Sequence, residues 1–393
     1  MNVGRYIFAQ VTDFIPRYVL DKLVKKYKGD FHAKELTCYN QLLHLLFGQI
    51  TGCNSLRDIC LCLEAHKESL YHLGFRNTVR ISSLSRANES RDYRIYEELG
   101  HYLIGIVRPL YVNTTIDDIS VDNVMYALDS TTISTSIKLA SWAVGKYTRG
   151  AVKMHTLLDL RGSIPANIHI TDGKWHDDKM WKYITIECGA IYTADRAYVD
   201  LEQMWRMQLT GAFFVMRPKS SMCFEFISEL NNESYGSNIK GDYIVSMKHA
   251  KSRRLYPGDL RMVKALDIET GEIITFITNN LEFSPLEIAN IYRHRWDIEV
   301  FFKWIKQNIT IKSLWGYSEN AVKTHLWVAI IAYLLLARIK AEMKTSYSIT
   351  EVATLIRVSA LERTDLRDLL TETLYSNSSN QNVKDQLNLF DNL

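Results

Sequence analysis

Cysteine is scarce and unpatterned in this chain. The six residues Cys38, Cys53, Cys60, Cys62, Cys188 and Cys223, out of 393, contain no CxxC pair and no histidine companion at zinc-finger spacing. That argues against a zinc module or a disulfide scaffold and predicts reduced, mostly buried thiols in a cytosolic protein. Net charge is also small, +3 from 47 basic and 44 acidic residues, so a polyanion must be met by local patches and not by a global field. Long apolar runs are missing. The longest, LWVAIIAYLLLA from Leu326 to Ala337, has 12 residues, short of the roughly 20 needed to cross a bilayer, and predicts a buried helix. The opening MNVGRYIFAQVTDF lacks a basic segment followed by an apolar stretch, which argues against a secretory signal. There is no internal repeat, and no low-complexity tract before the Asn/Ser/Gln-rich end after Tyr375.

The length allows two or three domains with real cores. From Pro16 to about Tyr111 the period is helical, in PRYVLDKLVKKYK, YNQLLHLLFGQI, SLRDICLCLEAH and SRDYRIYEELGHYLIGIV, which predicts a separate helical domain over residues 1–115. Between Arg76 and Arg94 five arginines stand against two acids, with Ser, Thr and Asn between them. These residues suit phosphate oxygens, although a polar loop before a helix has the same composition. After Asp122 the period becomes extended. VMYALD, VKMHTLLDL, IPANIHIT, AIYTAD and AFFVMRPK predict strands, with a helix over Leu201 to Leu209 between the last two. Residues 224–281 predict a β-rich insertion containing YIVSMKHA, RMVKALDI and EIITFITNN. Its six Lys/Arg against one acid between Ile244 and Lys264 suit either an edge strand kept soluble or a DNA-facing hairpin. Residues 311–373 predict C-terminal helices, and 374–393 a flexible tail.

The most informative stretch is YRHRWDIEVFFKWIKQN. Ser284 as N-cap, Pro285 at the first helical position and Glu287 three residues after the cap predict a helix beginning just before it. On a continuous helix Tyr292, Arg295, Glu299 and Lys306 fall within about 60° of one another, and Lys303 within about 20° of Tyr292. Ile291, Ile298, Phe301, Phe302 and Ile305 occupy a separate arc that can face a core. A carboxylate flanked by a phenol and cations suits metal-dependent phosphoryl transfer, while each charge singly also suits a solvated helix face.

The spacing Tyr-x2-Arg-x3-Glu-x6-Lys, with the blocks ALDST, TADRAY and YRHRWDIEVFFKWIK, resembles the DDE insertion-sequence transposases, specifically insertion-sequence family four. The likeness extends from about Met1 to Lys340 and includes the run SLSRANESRD in the N-terminal region. It implies an α/β fold in which a ribonuclease-H-like core (122–223 and 282–310) is interrupted by the β-rich insertion. It further implies that Asp129, Asp195 and Glu299 are catalytic residues and ligands of two Mg²⁺ ions, with Mn²⁺ able to substitute. Tyr292, Arg295, Lys303 and Lys306 would contact DNA. The implied partners are the element's terminal inverted repeats and target DNA, engaged by a homodimer assembled on DNA. In some relatives a tryptophan of the β insertion stacks on a flipped base; here the tryptophans between Asp195 and Glu299 are Trp205 and Trp296, outside the insertion, so a hairpin step is not implied. Two other functions share these features: a catalytically silent DNA-binding derivative, and a nuclease that cuts without joining.

For strand-end acids to reach a common point, the chain should turn outward at Ser130-Thr131-Thr132 after Asp129 and at Arg196 after Asp195. His176, Asp177 and Asp178 do not share a face, and predict a polar loop or helix start near the site in preference to a metal site. In the tail, Gln386, Leu387, Leu389 and Phe390 resemble the short peptide with which bacterial proteins dock on the replication sliding clamp, although a frayed terminus has the same composition.

Overall fold

The computed structural model describes residues 5–31, 33–135, 142, 150–230, 238–267, 270–309, 311 and 313–371. The tail peptide Gln386 to Phe390 lies outside the described residues.

Among the described residues, seven helices come first: α1 (Ile7–Thr12), α2 (Arg17–Lys26), α3 (Cys38–Thr51), α4 (Leu56–Ala65), α5 (Leu70–Leu73), α6 (Ile81–Ser90) and α7 (Arg94–Val107). The side chains of Thr37 and Ser55 accept from the backbone of Asn40 and Asp58 and so start α3 and α4. The arginine-rich segment is itself partly helical, as α6. Arg91 is drawn into the fold, with Nη1 2.9 Å from Gln41 Oε1, and Arg94 pairs with Asp92. Arg76, Arg80 and Arg86 are exposed.

A nine-stranded sheet follows: β1 (Met125–Thr135), β2 (Gly150–Asp159), β3 (Ile164–Asp172), β4 (Ile191–Ala194), β5 (Phe213–Met216), β6 (Phe224–Glu229), β7 (Ile239–Met247), β8 (Leu260–Leu266) and β9 (Ile273–Thr278). Their order is β3-β2-β1-β4-β5-β9-β8-β7-β6. The first three are antiparallel, and β4 and β5 run parallel to β1, which is the order of a ribonuclease-H-like core. Helix α8 (Leu201–Leu209) falls where the sequence predicts it, and α9 (Ala250–Leu255) lies inside the insertion. The insertion is not a detached module: β9 pairs with β5 through Val215 and Met216, so its four strands prolong the core sheet. The buried Arg261–Asp242 pair, Nη2 to Oδ2 2.7 Å, ties β8 to β7, and Arg261 Nη1 also donates to the Phe283 carbonyl at 2.7 Å.

The C-terminal part is helical: α10 (Pro285–Arg293), α11 (Asp297–Asn308), α12 (Glu319–Met343), α13 (Ile349–Ser359) and α14 (Leu366–Leu370). Helix α12 extends the apolar run to 25 residues, and 89% of its most apolar window is buried. By length and composition it could cross a bilayer, but here it is the central helix of a core, consistent with the buried helix read from the sequence.

The N-terminal helices do not form a core of their own. One apolar cluster joins Phe8, Leu46, Ile95 and Leu99 to Ala127 and Ile191 of the sheet and to Ile298, Leu326 and Ile331 of the C-terminal helices. The sequence signal, a block of helical period, could not show that the apolar stripes of α3, α6 and α7 face α12. Gly100 marks how close the helices come, because a Cβ there would lie 2.7 Å from Trp327 Cε3. Among the cysteines, Cys38 and Cys53 are buried and Cys60 half-buried, but Cys62, Cys188 and Cys223 are exposed, so the expectation of mostly buried thiols needs correcting.

Candidate active site

Side chains alternate across a strand. In β1, Tyr126 and Leu128 face the smaller apolar layer around α8, whereas Met125 and Ala127 face the helical core. Asp129 is next on the helical side. The parallel pairing of β1 with β4 ends at Leu128 opposite Ala194, so Asp129 and Asp195 are the next residues in register and leave the same face, on strands about 4.8 Å apart.

The chain does not turn outward after Asp129. Strand β1 continues to Thr135, paired with β2, because Thr131, Thr132, Ile133 and Thr135 favour a strand and β2 is long enough to pair them. It is β4 that stops: Asp195 caps a short 3₁₀ turn, Arg196–Tyr198, with Oδ1 accepting from Arg196 N–H at 2.6 Å. The site therefore sits in a fork, where β1 runs on and β4 ends. The backbone of Ser130 holds Asp129 by donating to Oδ1 at 2.7 Å.

The third acid comes from α11, which packs across β1. The start signals read in the sequence are present, with a full capping box between Ser284 and Glu287 and Pro285 in the first turn. The helix is not continuous. A 3₁₀ turn, His294–Trp296, separates α10 from α11; His294 is pinned there, Nδ1 2.9 Å from Asp297 Oδ2 and Nε2 2.8 Å from the Asp117 carbonyl. The tighter turn changes the angular register between α10 and α11, yet Tyr292 and Arg295 stay together, the guanidinium 5.7 Å from the ring centroid. Tyr292 is buried, its ring 5.0 Å from that of Phe276. Arg295 is buried too and points at the acids, with Nη1 3.0 Å from Glu299 Oε1 and 4.0 Å from Asp129 Oδ2. Glu299, Lys303 and Lys306 line an open cleft of about 440 Å³ with Asp129, Ser130 and Thr131.

Burial raises the Asp129 carboxyl to about 6; the Ser130 N–H and Arg295 oppose the rise, and Glu299 and Asp195 add to it. Such a group stabilises the fold when protonated. That contribution is fully present below its ordinary value of 3.8 and is lost as pH rises through about 6. In EDTA, Asp129→Asn is therefore expected to be more stable, relative to wild type, at pH 7 than at pH 4. Urea unfolding midpoints at the two pH values test this, and an unchanged difference would sink it.

The donor set fits a hard divalent cation, since the converging groups are carboxylates with no thiol among them. Among the described residues no three acid, histidine or cysteine side chains stand close enough to hold a metal ion as they are. The Arg295 guanidinium lies between Asp129 and Glu299 and supplies the positive charge there.

A second polar group stands behind the fork. Asp177 accepts from Lys153 Nζ at 3.0 Å and from Ser130 Oγ at 3.1 Å, and the ring of buried His155 is 3.5 Å from it. Burial lowers His155 to about 4, so it is neutral. Asp177 does begin a short helical turn near the site, as read from DGKWHDDKM, whereas Lys153 gave no sequence signal: in VKMHTLLDL it is one lysine in a strand.

A ribonuclease-H-like sheet with three acids directed at its β1–β4 fork defines a class of enzymes that act on polynucleotide phosphates. The chain belongs to the Transposase DDE domain family, whose description matches residues 122–335; a domain of unknown function, DUF4372, matches residues 3–76. It is similar to y4zB of Sinorhizobium fredii, named as a transposase, with 32% identity over 245 residues, 61% of this chain and 67% of that protein. It is also similar to a Synechocystis protein named as a transposase of the element IS4SA, 29% identical over 266 residues, 66% of this chain and 71% of that protein. A solved piggyBac transposase complex with hairpin DNA aligns with a TM-score of 0.48 and 10% identity, covering 94% of this chain and 83% of that one. The resemblance to insertion-sequence transposases read from the three blocks is thus correct.

Proposed function

We propose that this transposase binds the ends of an insertion sequence, cleaves DNA at the β1–β4 fork by two-metal phosphoryl transfer, and joins the freed 3′-hydroxyls to target DNA. The observation that carries the reading is the convergence of Asp129, Asp195 and Glu299 on one fork and one face, beside a cleft lined by Lys303 and Lys306. Asp129, Asp195 and Glu299 would hold Mg²⁺. When bound, such ions polarise the scissile phosphate and activate the attacking water or 3′-hydroxyl.

The chain's own residues prepare the site. Ser130 N–H and Arg196 N–H fix the two strand carboxylates. Arg295 orients Glu299 and holds the acids together against their mutual repulsion. Its burial makes it a group that acts on the acids, and leaves phosphate contact on this side of the cleft to Lys303 and Lys306. The test is incubation with a labelled terminal-repeat end and Mg²⁺, scoring cleavage and joining together. Cleavage with joining is expected; cleavage alone would identify a nuclease, and neither would identify a silent DNA-binding derivative.

Lys306→Ala is expected to weaken end binding and to reduce the slope of log affinity against log salt by about 0.9, the release of one counterion from duplex DNA. An unchanged slope in a fluorescence-anisotropy salt titration would remove Lys306 from the phosphate contacts.

A further inference from the structure

The cleft at the fork does not end at Lys306. Lys306 and Gln307 also line a second cleft, which continues past the C-terminal end of α11 to Asn54 between α3 and α4, to Ser313, and to Arg357 of α13. Among the described residues, the lining of this second cleft has two cations, three side-chain amides, one hydroxyl and no acid. The last carbonyls of a helix carry partial negative charge and would repel a phosphate. Here Arg357 covers them: its guanidinium donates to the carbonyl of Asn308, the last residue of α11, and to that of Ile50 in α3, the latter at 3.3 Å. A cation thus stands at the neighbouring C-terminal ends of α3 and α11, where helix geometry alone would make the route negative.

We propose that this second cleft is a binding site for the sugar-phosphate backbone of the DNA strand leaving the fork, so that the α3–α4 corner and α13 hold phosphates a fixed distance from the cut. The proposal rests on the reading that DNA is cut at the fork. From Glu299 to Asn308 the helix advances about 14 Å, which is the rise of about four nucleotides along one strand of B-form DNA. Charge, hydrogen-bond donors and continuity with the fork all suit a polyanionic strand. Asn54, Gln307 and Ser313 are exposed and free of packing duties in the core, so the site can be altered without touching the acids or Arg357.

The experiment measures binding in EDTA, where no cleavage occurs, of a labelled duplex bearing a single-stranded thymidine extension of increasing length at either its 3′ or its 5′ end. With the full chain, affinity is expected to rise as the extension reaches about four nucleotides on one of the two ends, with the salt slope steepening by about 0.7 per phosphate engaged. Asn54→Glu with Ser313→Glu should abolish that rise while leaving the affinity of the blunt duplex unchanged, and Asn54→Lys should enlarge it, which a misfolded variant would not do. An extension-dependent gain that is the same in wild type and in both variants would overturn the proposal, as would no gain at either end. The Asp129→Ala protein is tested in parallel. Because it lacks a fork acid, a normal gain there in EDTA, together with unaltered cleavage in a separate assay with Mg²⁺, would locate the error in the reading of the fork and not in the second cleft.

Discussion

Asp129→Asn is expected to slow cleavage of a labelled DNA end by about 10³-fold or more, with end binding changed by less than about twofold. Metal-assisted stabilisation of a phosphoryl transition state contributes several kcal/mol, and about 4 kcal/mol corresponds to a thousandfold in rate. Asparagine keeps the shape of the side chain and an acceptor for the Ser130 N–H, so the fork persists. What is lost is the charge that, with Asp195 and Glu299, attracts a divalent cation. Single-turnover cleavage beside an anisotropy measurement separates the two effects, and near-normal cleavage by the variant would remove Asp129 from the reaction.

The second large effect is on stability, at a distance from the fork. Arg261 and Asp242 are 1% and 0% exposed and bridge β8 and β7 with two short contacts, 2.8 and 2.7 Å. Removing one member strands the other charge in the interior, which costs about 3–5 kcal/mol. Arg261→Met should therefore lower the urea midpoint markedly. The double change Arg261→Met with Asp242→Leu should recover much of the loss, because it leaves no buried charge uncompensated. If the single change leaves the midpoint unmoved, the pair is not buried in solution as it is here.

Local signals in the sequence were strong where chemistry is local. Ser284, Pro285 and Glu287 announced α10; Leu201 to Leu209 gave α8 at its observed limits; and the order of the ALDST, TADRAY and YRHRWDIEVFFKWIK blocks pointed to three acids that the fold directs at one fork. What was hidden depends on partners distant in sequence. Nothing in LDSTT says that β2 will pair β1 as far as Thr135 while β4 stops at Ala194, yet that difference in length makes the fork. The sequence pattern predicts one continuous helix from Tyr292 to Lys306, whereas a 3₁₀ turn interrupts it where the His294 ring meets the Asp117 carbonyl, far away in sequence. Arg295 reads as a DNA-contacting cation until the 3₁₀ turn that carries it is laid against β1. Of the six cations counted between Ile244 and Lys264, Arg261 is buried against Asp242, a contact invisible to a tally of charge.

The N-terminal helices, the acid-bearing face of the sheet and α12 share one packed core, which sets the span between the α3–α4 corner and Asp129. Among the described residues, the α3–α4 corner and the strand that carries Asp129 are mounted on the same packed interior. On the proposed readings of the fork and the second cleft, a nucleotide gripped at one end of such a body would be presented to the acids at a span fixed by side-chain packing, and the folded shape itself would set the position of the cut, without a tether that would blur it.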